Sequence, residues 1–398
     1  MYSIGIDVSK GKSMIAIITT DGEVIHKPFE IENNKTGFKI LEEKIKDIPK
    51  DQIKFIMEAT GAYHRPILKL ILDNGYFACV ENPLTVKKYC DVDIRKAKTD
   101  KKDALKIAAY GSDKWHKLRL FEPADEVYEE LKFLARQYEE QTNSKTVHKI
   151  QLDNLIDVAF PGLKKIFNGD SLYLFMLDIF EIYYHPDLVL AKSKARFKAD
   201  IEKIAKKTRH RVGSRIAEEM YSLANNCVPS RPCNELTQLA ITSHILLLKN
   251  LEEVTKTIIT KMDEIARTLP EFEVVSNMSG VGKKIRSRLI AEVGDINRFK
   301  SANSLIAYAG IDTPPYESGQ FKATQRRISK RGNKHLRKVG YETMKSLKTV
   351  KPKNDNSVYL YILKKEEEGK LKTAAKIAGL NKFLRIYFAR VSEVYQAL

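Results

Sequence analysis

Residues 2–30 read YSIGIDVSKGKSMIAIITTDGEVIHKPFE, and their alternation decides the fold of the first part of the chain. Apolar residues alternate with small or polar ones through 2–9, and SMIAIITT at 13–20 repeats the pattern. Asp21-Gly22 is a strong hairpin signal, and EVIHKPFE at 23–30 returns as a third strand. Working outward, Phe38, Ile40, Leu41 and Ile45 recur at helical spacing within 34–46, IKFIME at 53–58 is a buried strand, and a helix over 61–72 ends at Asn74-Gly75. YFACVE at 76–81 is the fifth strand. Three consecutive strands followed by helix, strand, helix and strand predict a mixed α/β sheet domain that opens on a meander.

The rest of the chain reads differently. Val127, Leu131, Leu134 and Tyr138 recur every three or four residues, and Leu247, Leu251, Val254, Ile258 and Ile265 do so later. Both runs are amphipathic helices, either the two arms of a coiled coil or ordinary bundle helices. An inserted helical segment, 160–235, lies between them, and the sequence assigns it no job. A helix near 301–309 and a basic helical tail over 358–398 belong to a third region that starts at Pro270. The expected domains are 1–118, 119–269 with its insert, and 270–398. The fold class is therefore α/β followed by a mostly α remainder.

The 398 residues carry 69 Lys and Arg against 51 Asp and Glu, a formal net charge of +18. That balance points to a polyanionic partner, nucleic acid before an anionic membrane surface. No apolar run is long enough to span a bilayer, and the N-terminal stretch with Asp7 is unlike a signal peptide. Cys79, Cys90, Cys227 and Cys233 have no zinc-site spacing, which fits a reduced, cytoplasmic protein.

Within this basic chain a few acids stand out. Asp7 interrupts the first strand between Ile6 and Val8, where a charge is costly unless paired or bound to metal. Glu58 ends the fourth strand. RKAKTDKKDALKIA, 95–108, sets Asp100 and Asp103 at i and i+3, on one helical face, among five lysines and one arginine. Capping by Thr99 or Asp100, or a solvated face with balanced charges, is the plain account. Converging strand ends and an adjoining helix give the sharper one: hard oxygen ligands for Mg²⁺ or Mn²⁺, with Lys98, Lys101 and Lys102 among the lysines that meet phosphates beside them.

SGVGKK, 279–284, resembles the turn of a helix–hairpin–helix. There Gly280 and Gly282 would let backbone approach a phosphate, helped by Lys283 and Lys284 and by Arg286 and Arg288 beyond them; an ordinary glycine turn is the alternative. Next comes a serine, Ser318, followed by Gly319 and then by Arg326, Arg327, Lys330 and Arg331. A serine needs a proton acceptor and a group that steadies phosphate charge before it acts as a nucleophile. The residues alone leave Ser318 a loop hydroxyl or a nucleophile, and Ser329 a rival or a helix cap.

The acid on the first strand, the Glu after the fourth and the helical D-x-x-D resemble the RNase H-like fold of RuvC-type junction resolvases. IGIDVSK (4–10), MEATGAYH (57–64) and KTDKKDALKIA (98–108) resemble, more narrowly, the N-terminal domain of DEDD transposases of bacterial insertion sequences, the insertion sequence one-ten group now called bridge recombinases. AYAGIDTPPYESGQ (307–320) and ISKRGNKHLR (328–337) resemble their C-terminal domain. The likeness covers roughly 1–158 and 236–398. It implies that Asp7, Glu58, Asp100 and Asp103 hold Mg²⁺ or Mn²⁺. It implies too that Ser318 forms a covalent link to DNA, although Gln320 stands where the family often has a second glycine. The resemblance also implies a structured bridge RNA that guides donor and target DNA, and a nucleoid-associated bacterial protein. Arg327 and Lys330 are then the groups to stabilise charge, and a homo-oligomer, dimer or tetramer, would be joined through the coiled coil so that protomers share a site. A metal-dependent Holliday-junction-type endonuclease using water, or a catalytically silent nucleic-acid binder, remain the other classes.

Overall fold

The structure is a computed structural model; it describes the chain apart from residues 60–62, 91–98, 123–124, 168–172, 314–316, 319–320 and 323–326, and apart from the side chains of 84, 90, 317, 318, 321 and 322. The chain forms two compact units, Met1–Pro123 and Ala124–Leu398.

The first unit is built on β1 (Tyr2–Val8), β2 (Lys12–Thr19), β3 (Val24–Glu32), β4 (Ile53–Glu58) and β5 (Phe77–Glu81). They form one sheet in the order β3-β2-β1-β4-β5, with β1, β2 and β3 antiparallel and β4 and β5 parallel to β1. The strands alternate as their sequence requires. Ile4, Ile6, Phe55 and Met57 are buried with α1 (Lys35–Ile45) and α2 (Arg65–Asp73). The opposite face carries Ser3, Gly5, Ile56 and Cys79. After α3 (Pro83–Cys90), it is covered by α4 (Asp100–Asp113) through Ala104, Ile107 and Ala108. Helix α3 is absent from the sequence expectation; it opens on Pro83, and proline is at home in the first turn of a helix. Burial pushes the Cys79 thiol up to about 11, as befits a core residue.

The second unit is strung along two long helices, α5 (Glu126–Ala159) and, after the insert, α10 (Glu235–Ala266). They run antiparallel within the one chain: Lys145 pairs with Glu252, and His148 meets His244. Between them come α6 (Tyr173–Ile182), α7 (Pro186–Leu190), α8 (Lys194–Lys207) and α9 (Gly213–Asn226). These bury Phe175, Phe180, Phe197 and Met220 against Leu152, Ile156, Ile241 and Ile245 at the far end of the hairpin. Ser230 and Arg231 N–H both donate to Val158 O, at 2.9 and 3.1 Å, so the insert leaves and rejoins the hairpin at one point. At the near end Tyr128, Leu131, Met262 and Ala266 join the core of α11 (Phe272–Ser276), α12 (Arg286–Val293), α13 (Ala302–Ala309), α14 (Lys334–Val350), α15 (Ser357–Glu367) and α16 (Lys372–Gln396). A two-residue pair, β6 (Glu317–Ser318) and β7 (Phe321–Lys322), lies between α13 and α14. Buried Glu271 accepts from Tyr128 OH at 2.8 Å and Tyr395 OH at 2.7 Å, which ties the first turn of α5 to the last of α16.

The seam of the hairpin departs from the expected one. On α10 it is Ile241, Ile245, Leu248, Ile259, Met262 and Ala266 that are buried, whereas Leu247 and Val254 are 42% and 43% exposed. The helix is apolar on more than one face, and its periodicity does not say which face meets α5. Among the described residues no helix is long and apolar enough to cross a membrane.

The hairpin contains a pH-sensitive contact. His148 and His244 bring their Nδ1 atoms to 3.2 Å, and burial, then the His148 charge, holds His244 below the usual imidazole range. As pH falls through about 6.5 the unfolded chain takes up its proton first, so stability is present above that pH and lost below it. Acidifying from neutral pH to pH 5 should lower the melting temperature of this unit, by about 2–4 °C per kcal/mol lost. His244→Gln should flatten that slope in calorimetric scans against pH.

Candidate active site

Four carboxylates are carried to one end of the first unit's sheet. Ser3, Gly5 and Asp7 point to the α4 side of β1. Ser3 Oγ donates to Ala108 O at 2.7 Å, and a Cβ on Gly5 would lie 2.3 Å from both Ala104 O and Ala108 N. The helix therefore runs backwards along β1 in direct backbone contact with it. One step further along the strand is Asp7; one turn back along the helix are Asp103 and Asp100. Neighbouring β4 is parallel to β1 with Met57 opposite Ile6, so Glu58 stands beside Asp7 on the same face as Ile56. Asp100 is exposed, and Asp7, Glu58 and Asp103 are half-buried. Lys12, at the start of β2, is held above its usual range by its partner Glu30 at 2.7 Å, with a further pull from Asp100.

Thr99 is the N-cap of α4, accepting from Lys102 N at 3.4 Å, so neither acid is consumed by capping. Both still favour the helix from its first turn, where the macrodipole is positive. Lys101 and Lys102 are exposed on that turn; Lys98 lies outside the described residues. A further acid, Glu81, does not stand out in the sequence. It ends β5 directly opposite Glu58. Glu81 bonds the Tyr110 phenol, which burial and this partner push up to about 12. Its place at a strand end is the signal that would have found it.

The carboxylate oxygens are not tightly gathered. Among the described residues only His185, Asp187 and Cys233 place ligand atoms within 4.8 Å of one another as a set of three. In that set both ring nitrogens of His185 are engaged: Nδ1 accepts from Asp187 N at 3.2 Å, capping α7, and Nε2 meets Arg231 O at 3.0 Å. It is a capping arrangement. The DEDD set has the donor chemistry that a hard divalent cation prefers, oxygen only, on a strand and helix fixed by backbone contact.

In the second unit, Ser318 is on β6, opposite Phe321. The limbs of this segment are pinned together. Ser329 N donates to Asp312 O at 2.8 Å, Lys330 N to Gly310 O at 3.0 Å, and Asn333 N to Tyr308 O at 2.6 Å. Gly332 permits the approach, since a Cβ there would be 2.4 Å from Tyr308 O. Ser329 Oγ donates to the Asp312 carboxylate and accepts from Arg331 N, so this hydroxyl closes the stem. Arg327, Lys330 and Arg331 are exposed on the returning limb; Arg326 and Gly319 lie outside the described residues.

The two glycines of the 279–284 turn have different surroundings. Gly280, with φ +87°, packs on α14, where a Cβ would be 2.9 Å from Leu347 Cβ, while Gly282 faces open space. Lys283 and Lys284 are exposed. Arg286 is paired with Asp263 at 2.6 Å, and Arg288 with Glu342 at 2.7 Å, so both are spent on the fold.

Two family models match the chain. One, a transposase model of the DEDD type named for IS110, covers residues 4–161. The other, described as the transposase IS116/IS110/IS902 family, covers 273–359. The chain is 22% identical to the 44.8 kDa protein of insertion element IS116 from Streptomyces clavuligerus over 98% of its length and 94% of the relative's. It is 22% identical to the 43.6 kDa protein of IS110 from Streptomyces coelicolor, over 78% of this chain and 74% of that one. It is 24% identical to the pilin gene-inverting protein of Moraxella lacunata, over 98% and 95%. A sheet of this order with acids at its strand ends, followed by a helical remainder, is compatible with an RNase H-like DEDD transposase, an enzyme that recombines DNA. The chain belongs to the IS116/IS110/IS902 family of transposases. A DEDD domain points to use of a divalent metal.

Proposed function

We propose that the protein is a site-specific recombinase that excises and inserts its own element through a phosphoserine intermediate on Ser318. The observation that carries this reading is the convergence of Asp7, Glu58, Asp100 and Asp103 on one end of the α4 face of the sheet. The relatives from Moraxella are, by name, gene-inverting proteins, which favours recombination over simple cutting. The four carboxylates would hold Mg²⁺ or Mn²⁺, which when bound would supply positive charge to a scissile phosphate. Ser318 Oγ bonds to phosphorus as the bond from phosphorus to the leaving deoxyribose oxygen breaks, and the hydroxyl proton ends on that oxygen. A deoxyribose hydroxyl of the new partner strand then reverses the step, so rejoining needs no energy source. Arg327 and Lys330 steady the phosphate charge.

Specificity is delegated to a bridge RNA that pairs with donor and target DNA. The spread of exposed lysines and arginines suits backbone contacts in place of base reading. The working form is a homo-oligomer, dimer or tetramer. Its support is a second apolar stripe: Leu239, Leu246, Leu247 and Val254 on α10, with Val147 and Ile150 on α5, are each 42–64% exposed.

The test is a strand-exchange reaction with donor and target DNA, transcripts of the element's flanks and Mg²⁺. Joined recombinant product that requires both the transcripts and Mg²⁺ is expected, and Asp7→Asn should remove it. Cut ends without joined product would favour a metal-dependent junction endonuclease. Joining without the transcripts would remove the RNA from the reading.

A further inference from the structure

The second unit has a groove of about 1360 Å³ beside the Ser318 segment. Ile311 and Thr313 line it from the outgoing limb, and Arg327, Ile328 and Lys330 from the returning one. The opposite wall is the α15–α16 turn and the first four turns of α16. Among the described residues six cations face it, Arg327, Lys330, Lys370, Lys372, Lys382 and Arg385, and no carboxylate does.

Four basic groups elsewhere in this unit have acid partners. Arg286 has Asp263, Arg288 has Glu342, Lys348 has Glu366 and Arg390 has Asp355. Among the described residues none of the six groove cations pairs with an acid. Lys382 Nζ donates to Ser357 O at 3.0 Å, and Arg385 Nε to Asn381 Oδ1 at 3.1 Å, both neutral acceptors. Six like charges around one concavity repel each other, and a polyanion relieves that repulsion. The α16 N-terminus adds to this field, because its N-cap, Leu371, has no side-chain acceptor for the first N–H groups.

The floor has a second character. Ile328 and Ile377 are half-buried, Ala374 is exposed, and Leu371 is 81% exposed. Phosphates have no use for an apolar floor; the faces of unstacked bases do. A duplex keeps those faces inside. We propose that this groove binds a single, unstacked strand of DNA, phosphates toward the six cations and bases on the apolar floor. The assignment of that strand as the one being cut rests on the reading of Ser318 given above; the binding itself does not.

The triple variant Lys370→Ala/Lys372→Ala/Arg385→Ala leaves Arg327 and Lys330 in place and alters only groove-facing cations. Binding of the full chain to fluorescent 12-mers is measured at several salt concentrations, with single-stranded DNA, the same sequence as duplex, and the same sequence as RNA. A control variant, Lys256→Ala/Lys261→Ala, removes exposed charges from α10, and circular dichroism melts check folding. The triple variant should bind single-stranded DNA at least about tenfold more weakly, with a salt slope shallower by about 2, against little change for the duplex and for the control. Photocrosslinks from thiothymidine in the single strand should map to 371–378. An unchanged single-strand affinity overturns the proposal. So does an equal loss on duplex, which would mean a general backbone surface, or a loss confined to RNA. Ser318→Ala protein in the same assay should bind normally. Failure of the serine reading would therefore appear as a missing adduct with groove binding intact.

Discussion

Ser318→Ala protein, co-expressed with the element's own flanking DNA so that any encoded RNA is present, should yield no covalently attached DNA after denaturation, where the unaltered chain yields an adduct mapping to residue 318. The loss should exceed about a thousandfold, because a nucleophile has no substitute in its own step. Asp103→Ala should lose the adduct as well, and Ser329→Ala should not lose it entirely. Ser329 is bound to Asp312 and to Arg331 N, and its removal loosens the stem of the segment while leaving the nucleophile. An adduct that survives Ser318→Ala and vanishes in Ser329→Ala would exchange the two roles. DNA cut in the absence of any adduct would place water in the nucleophile's position and make Ser318 a residue of the loop.

Gly5→Ala should be the most damaging small change in the first unit. The added Cβ meets Ala104 O and Ala108 N at 2.3 Å and Ala108 Cα at 2.8 Å, all backbone atoms of α4 that no rotamer can move. The helix has to leave the sheet, at a cost of about 1–3 kcal/mol or more. It takes Asp100 and Asp103 away from Asp7 as it goes. Melting temperature and adduct yield should therefore fall together. Gly11→Ala is the comparison: φ there is +82°, but nothing lies within 4 Å, so strain alone should cost about 1 kcal/mol and the adduct should persist. Equal melting temperatures for the two variants would mean that α4 is not held by this contact.

Much of the first unit is legible in its sequence because its signals are local. Strand alternation, Asp21-Gly22 and the Thr99 cap all act within a few residues, and the structure has each of them. The four acids are visible as oddities of position, and the register of β1 with β4 and the Gly5 contact explain why they lie at the same end of the sheet. What stayed hidden depends on partners distant in the chain. Arg286 and Arg288 look like DNA-binding charge until Asp263 and Glu342 are seen beside them. Leu247 and Val254 look like seam residues because α10 has two apolar stripes. The cationic groove joins 311–330 with 361–385, and neither stretch announces it alone.

The crossing of the chain at Val158, Ser230 and Arg231 has an engineering consequence. A module whose entry and exit meet within one hydrogen bond can be exchanged without changing the distance its neighbours must span. Residues 160–229 are thus a natural graft point. A short turn in their place would uncover Leu152, Ile156, Ile241 and Ile245, so a compact variant needs polar residues at those positions. A foreign domain with adjacent termini could be seated there instead, as a tether for cargo at the tip of the hairpin.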